Sequence, residues 1–184
     1  MLCGLIGTDV IQQVAPKIDV AVKDEQVSAE SAKCRLYDTG SGKPFITADA
    51  TKLDGDAAAS RKRVDEFAAT FDGEPAEAAG LDDLGYGRVI VAAPSSPDSG
   101  SPTEVFLGVA TEDRFIRIIY RPVNGSPGNP AEDAVAIAED FNSNLTAQSG
   151  QEATDSSATP ESLADERQDV KVVADPSWLS NRLG

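Results

Sequence analysis

The stretch TEVFLGVATEDRFIRIIYRPV, residues 103–123, decides the fold class of this chain. Apolar side chains alternate with other side chains before and after Glu112 and Asp113, which have the composition of a turn. This pattern predicts a β-hairpin with one apolar face, and it places Arg117 and Arg121 on the opposite face. We therefore expect a sheet that buries one face and presents cations on the other. The residues of the apolar face are Val105, Leu107, Val109, Ile116, Ile118 and Tyr120.

The stretch GNPAEDAVAIAEDFNSNL, residues 128–145, predicts a helix that packs on this sheet. Asn129 is a suitable N-cap, Pro130 suits the first helical position, and Glu132 completes an approximate capping box. Apolar residues recur at helical spacing and form one stripe, whereas we expect the acidic surface beside it to stay in water. The stripe comprises Ala134, Ile137, Ala138, Phe141 and Leu145, and the acidic surface comprises Glu132, Asp133, Glu139 and Asp140.

Shorter patterns on the N-terminal side supply the remaining elements. Residues 8–14 predict a short helix that ends before Pro16, and residues 34–52 predict a hairpin around the turn sequence DTGSGKP. Residues 55–73 predict an amphipathic helix, and residues 80–94 turn through glycines into a strand.

These elements define the fold class and the domain organisation. Leaving aside a weak alternation over residues 18–23, the order is α-β-β-α-β-β-β-α. This order predicts an α+β fold, with a mainly antiparallel sheet and helices packed on it. We expect residues 1–148 to form one domain, and residues 149–184 to be an acidic linker and C-terminal tail. The tail either docks back on the domain, in part through a strand at residues 170–173, or stays separate from it.

Composition removes several classes of function. The net charge of −15 at pH 7 repels phosphate backbones, so we expect no nucleic-acid partner. The chain has no His, which excludes nucleophilic triads built on that residue. Two cysteines alone cannot complete a four-ligand zinc site, and the sequence has no calcium-binding loop motif. We therefore expect no metal, no cofactor and no catalytic residue.

Carboxylate pairs are the remaining candidates for acid–base chemistry. Examples are Asp82 with Asp83 and Glu139 with Asp140. Neighbouring helix positions diverge by about 100°, so Glu139 and Asp140 converge poorly on one substrate. Asp82 and Asp83 have the composition of a turn. A carboxylate-based enzyme is the least favoured alternative.

Cys3 and Cys34 leave two interpretations open. An even number of cysteines in an exported domain predicts a disulfide, which would stabilise the fold by about 3–4 kcal/mol in the chain-entropy model. Two buried, reduced thiols in a cytosolic protein fit the same residues. A lipid anchor on Cys3 itself fits poorly, because a folded element rather than a polar linker follows it.

Two groups of arginines are candidate binding residues. Arg61 and Arg63 lie in the densest basic cluster of the chain, and Arg117 with Arg121 lies on the open face of the predicted hairpin. Each group is either a solvated surface or a contact for an anionic partner. The polar loop PSSPDSGSP, residues 94–102, is a further candidate, because binding groups often occupy loops on a rigid scaffold.

Four segments resemble the cell-envelope lipoproteins of actinobacteria, a family of unknown function. They are LCGLIGTDVIQQV at 2–14, KCRLYD at 33–38, GLDDLGYGRVIV at 80–91 and AEDAVAIAEDFNSNL at 131–145. The resemblance covers residues 2–148 and implies a PsbP-like sandwich fold, with Cys3 paired to Cys34. It departs from the family at Tyr37, where the family has a Trp. It implies an envelope location, and it transfers no catalytic residue.

Taken together, these features predict a non-catalytic binding or adaptor module outside the cytoplasmic membrane. We expect its partner to be a protein or small ligand of the cell envelope. We expect membrane attachment only through a lipid on a cysteine upstream of this chain. The alternative is a carrier of a small apolar or cell-wall ligand, which requires an apolar cavity between sheet and helix.

Overall fold

Seven strands and four helices make up the part of the chain that the structure describes. The structure is a computed structural model that describes residues 3–92, 103–123 and 128–155. The strands are β1 (Val20–Val27), β2 (Ser31–Asp38), β3 (Pro44–Lys52), β4 (Glu74–Ala76), β5 (Tyr86–Ala92), β6 (Glu104–Ala110) and β7 (Arg114–Tyr120). The helices are α1 (Thr8–Val14), α2 (Ala57–Ala68), α3 (Leu81–Leu84) and α4 (Pro130–Asp155).

The strands form one antiparallel sheet in the order β1-β2-β3-β7-β6-β5-β4. The pairing of β3 with β7 joins an N-terminal meander to a C-terminal group of strands. At this join Ile118 of β7 lies opposite Ala48 of β3 and Leu107 of β6. All three side chains are buried on one face, so the apolar face of the 103–123 hairpin continues across the sheet. We call this surface the core face.

Helix α4 covers the core face, packing against β7, β6 and β5. Asn129 caps the helix, because its side-chain oxygen accepts a hydrogen bond from the Ala131 amide at 3.1 Å. Burying the larger side chains of the apolar stripe stabilises the fold by roughly 1.5–3 kcal/mol each. Its five residues, Ala134, Ile137, Ala138, Phe141 and Leu145, are all buried, as the periodicity predicts.

Helix α2 lies on the other side of the sheet, over β5 and β6. Phe67 packs edge-on against Phe115, with ring centroids 5.9 Å apart, and Phe71 stacks on Phe106 at 3.7 Å. Gly108 permits this approach, since a Cβ there would lie 2.6 Å from the Phe67 ring. Helix α2 therefore closes a second, smaller aromatic core at one end of the sheet.

The N-terminal segment, residues 3–7, lies between the sheet and α4 and is bonded to both. Cys3 forms a disulfide with Cys34 of β2, and both residues are buried. Asn144 donates to the Leu5 carbonyl at 3.2 Å, and Gln148 donates to the Gly4 carbonyl at 3.0 Å. One covalent bond and a row of α4 side chains thus position residues 3–7.

The α+β class and the mainly antiparallel sheet are confirmed. The structure adds β1, β4 and α3 to the predicted order, and the weak alternation over residues 18–23 lies within a strand from Val20 onward. Helix α4 continues to Asp155, which places its last turns within the predicted linker. Residues 156–184, with the predicted strand at 170–173, and the loop at 94–102 lie outside the described residues.

The prediction that all four acidic residues beside the stripe stay in water is wrong. Asp133 is only 3 % exposed, because Tyr120 and the start of α4 enclose it. Asp140 is half-buried, because its carboxylate accepts a hydrogen bond from the Gly7 amide. The helical period identifies the apolar stripe, but it cannot show that the N-terminal segment covers the adjoining positions.

Removing the disulfide should destabilise the fold substantially. The bond joins residues 31 positions apart, and the chain-entropy model gives about 3–4 kcal/mol for a loop of this size. We expect a Cys3→Ala/Cys34→Ala variant to lose this amount of unfolding free energy in urea denaturation. Wild-type protein in dithiothreitol is the matched control and should show a similar loss. Two free thiols in the mass of unreduced protein would contradict the assignment.

Candidate functional site

The surface opposite the core face is only partly covered, and its uncovered part is the candidate site. Helix α2 lies over β5 and β6, which leaves the side chains of β2, β3 and β7 beside it half-buried. We call this surface the open face. It comprises Lys33, Arg35, Thr47, Asp49, Arg117, Ile119 and Arg121.

Cations from two separate strands meet on the open face. Lys33 of β2 lies opposite Asp49 of β3, which in turn lies opposite Arg117 of β7. Arg117 Nη2 is 3.8 Å from Asp49 Oδ2, and the Arg117 side chain is 42 % exposed. A single carboxylate therefore lies between two cations, and Arg117 keeps donor groups in contact with solvent.

Arg121 has a different role from Arg117. Its guanidinium forms an ion pair with Glu104 of β6 and donates a hydrogen bond to the Pro44 carbonyl at 3.1 Å. These contacts tie the end of β7 to both neighbouring strands. Arg121 thus contributes positive charge to the open face while its guanidinium is anchored to groups of the sheet.

Arg61 and Arg63, the candidates on α2, pack over aromatic rings rather than forming one site together. The Arg63 guanidinium lies 4.8 Å from the centroid of Phe115 and donates to the Thr51 hydroxyl at 2.9 Å. The Arg61 guanidinium lies 5.2 Å from the centroid of Tyr86. Such cation–π contacts attach α2 to the sheet. Only Arg63 reaches the border of the open face, through Thr51.

Sequence reasoning missed Lys33 and Arg35 as members of the site. Both alternate with buried Cys34 and Leu36 on β2, so the period-two pattern that placed Arg117 also applies to them. That pattern shows which face of a strand they occupy. It cannot show that β2 lies two strands from β7, because this depends on the pairing of β3 with β7.

The carboxylate pairs do not converge on a common point. Asp140 bonds to Gly7, whereas Glu139 lies beside Gly80 on another side of α4. Asp82 and Asp83 are both exposed on the short helix α3. Within residues 3–92, 103–123 and 128–155, no three acidic, Cys or His side chains are grouped so that they could hold a metal ion.

Two clefts open on the surface of the described residues. The larger, about 920 Å³, lies beside α3, β4 and β5, and its charged lining residues are Glu77, Asp82, Arg88 and Glu132. The smaller, about 280 Å³, lies beside the start of α2 and includes Arg61. Both are open to solvent, and neither is the enclosed apolar cavity that the carrier alternative requires.

Asp133 is the one buried acidic or basic residue among those described. Burial raises the pKa of its carboxyl above the usual 3.8, the Tyr120 hydrogen bond opposes this shift, and the charge of Glu132 adds to it. The Tyr120 hydroxyl lies 3.3 Å from Asp133 Oδ2 and 3.1 Å from the Val14 carbonyl. The group therefore links α1, β7 and α4 inside the core, away from the open face.

Comparisons with protein-family models, with curated proteins and with solved structures gave no match. The similarity to envelope lipoproteins therefore depends on the four motifs alone. Among the described helices, none is both long and apolar enough to cross a bilayer. The geometry of the open face is the main evidence on function.

Replacing Asp133 by Asn should change how stability depends on pH. The folded protein holds the Asp133 proton to higher pH than the unfolded chain does, so this group makes stability fall as pH rises from 3.8 through the raised pKa. Asn cannot titrate and still accepts from Tyr120. We expect the unfolding free energy of Asp133→Asn, relative to wild type, to increase across this pH range and then level off. Denaturant titrations at several pH values measure the difference, and a constant difference would contradict the assignment.

Proposed function

We propose that this chain is a non-catalytic binding domain that takes an acidic segment of a partner protein on its open face. The observation that supports this most directly is the row formed by Lys33, Asp49 and Arg117. With Arg35 and Arg121, four cations share this surface with two carboxylates, Asp49 and Glu104, although the chain as a whole carries a net charge of −15. Such local reversal of charge favours a partner of opposite sign.

The overall negative charge of the chain does not prevent this interaction. At physiological ionic strength, charges more than about 8 Å apart are largely screened. Acidic residues elsewhere on the surface then act weakly on a bound segment, whereas Lys33 and Arg117 act at contact distance. A large acidic surface would also bring its charges close to the acidic residues around the open face, which favours a short acidic segment as the ligand.

We place this domain outside the cytoplasmic membrane. A buried disulfide is typical of proteins from oxidising compartments, and the motifs that resemble envelope lipoproteins agree with this location. On this proposal, membrane attachment requires a lipid on a cysteine upstream of Met1. The partner is then another component of the cell envelope.

Charge-neutralising substitutions on the open face test the proposal. The probe is a fluorescent peptide of twelve Glu residues, and its binding is followed by anisotropy at about 0.15 M salt. A Lys33→Gln/Arg117→Gln variant should bind it about 2–30-fold more weakly, since two exposed ion pairs contribute about 0.2–1 kcal/mol each. Both side chains are on strand surfaces, so we expect the fold to persist.

The matched control is Lys17→Gln/Lys62→Gln, which makes the same change in net charge at exposed positions that are not part of the open face. It should leave binding within about twofold of wild type. Equal weakening by both variants would show that only net charge matters, which contradicts a site on the open face. Wild-type protein that does not bind the peptide, or that prefers an anionic polysaccharide of equal charge, would contradict an acidic protein segment as the ligand.

A further inference from the structure

Strand β1 presents an open edge of backbone groups. It is the outermost strand of the described sheet, and its hydrogen bonds go to β2 alone. Two backbone hydrogen bonds, from the Thr39 amide to the Asp19 carbonyl and from the Ser28 amide to the Ser31 carbonyl, mark the two ends of this pairing. They define which residues of β1 direct their backbone groups toward β2. Because antiparallel partners alternate along a strand, Val22 and Val27 then direct their amide and carbonyl groups away from β2.

The same two residues expose apolar side chains. Val22 is 36 % exposed and Val27 is 48 % exposed. Among the described residues, these are the two large apolar side chains with the greatest exposure to solvent. The opposite edge of the sheet differs, since β4 has only three residues and contains Pro75. Short edge strands and proline protect a sheet from further pairing. Strand β1 is eight residues long and contains no proline, although a bulge and charged residues interrupt its middle.

Helix α4 brings the C-terminal part of the chain to this edge. Gln148 donates to the Gly4 carbonyl, and Gly4 lies against the side chain of Glu25 on β1. The helix has therefore crossed the core face and lies near β1, with Gly4 between them, two turns before it ends at Asp155. Residues 156–184 follow from this point.

The sequence beyond α4 contains a segment that suits an added strand. Residues 169–175 read DVKVVAD, in which Val170 and Val172 alternate with Lys171. β-branched residues favour strands, and Pro176 would end one. The 14 residues between Asp155 and Val170 span up to about 50 Å when extended, whereas an eight-residue strand is about 26 Å long. The segment can thus reach any register on β1.

We propose that residues 169–175 of the same chain pair with the outer edge of β1 as an additional strand. Pairing would satisfy the outward amide and carbonyl groups of β1 and cover the exposed side chains of Val22 and Val27. The inference is independent of the proposed function, because it concerns the backbone edge of β1 rather than the side chains of the open face.

Amide hydrogen exchange in the full chain tests this pairing. The comparison is between wild type and Val172→Pro, since proline cannot pair within a strand and the substitution changes none of the described residues. We expect the amide of Val22, of Val27 or of both to exchange about tenfold more slowly in wild type. The amides of Ala21 and Gln26 bond to β2 and should exchange equally in both proteins. Ser157→Pro, in the segment before the strand, should behave as wild type.

Two results would overturn the proposal. One is equal exchange at Val22 and Val27 in wild type and Val172→Pro, which would mean that the tail does not cover the edge. The other is protection that disappears on dilution, which would show that a second copy supplies the pairing strand. Protection of the outward amides alone, unchanged by dilution and lost only in Val172→Pro, is the result that supports pairing within one chain.

Discussion

The alternation of side chains along β7 is the constraint on which both the core and the candidate site depend. Ile116, Ile118 and Tyr120 enter the core face beneath α4, and Arg117 emerges between them on the open face. A shift of one residue in register would exchange the two sets. Since β7 is paired on both sides, to β3 and to β6, its register is fixed twice. The stability of the core therefore also holds the cations in place.

Two kinds of bond hold the N-terminal segment against the rest of the described chain. The disulfide joins Cys3 to β2, whereas Asp140 and Asn144 bind the backbone of the N-terminal segment through hydrogen bonds. This arrangement explains why α4 carries polar residues on a surface that is not fully solvated. The disulfide reduces the conformational entropy of the unfolded chain, while the hydrogen bonds orient the N-terminal segment in the folded state.

The open face and the edge of β1 offer different chemistry to a partner. The open face presents the charges of side chains such as Lys33 and Arg117, which select for the sign of a partner's charge. The edge of β1 presents backbone donors and acceptors, which select for an extended chain with little regard to its sequence. The edge of β1 lies in the plane of the sheet, whereas the open face lies on one side of β2, β3 and β7, so occupation of the edge leaves the open face accessible to a partner.

The sequence by itself determined the features that depend on local period. These are the α+β class, the hairpin at 103–123, the apolar stripe of α4 with its cap, and the placement of Arg117 away from the core. Only the tertiary structure decided which distant residues meet. Lys33 and Arg117 share one surface because β3 pairs with both of their strands. Asp133 is removed from water by Tyr120, and Asp140 is partly covered by the N-terminal segment. Periodicity assigns a face to each residue, but strand order and packing between remote segments decide what that face contacts.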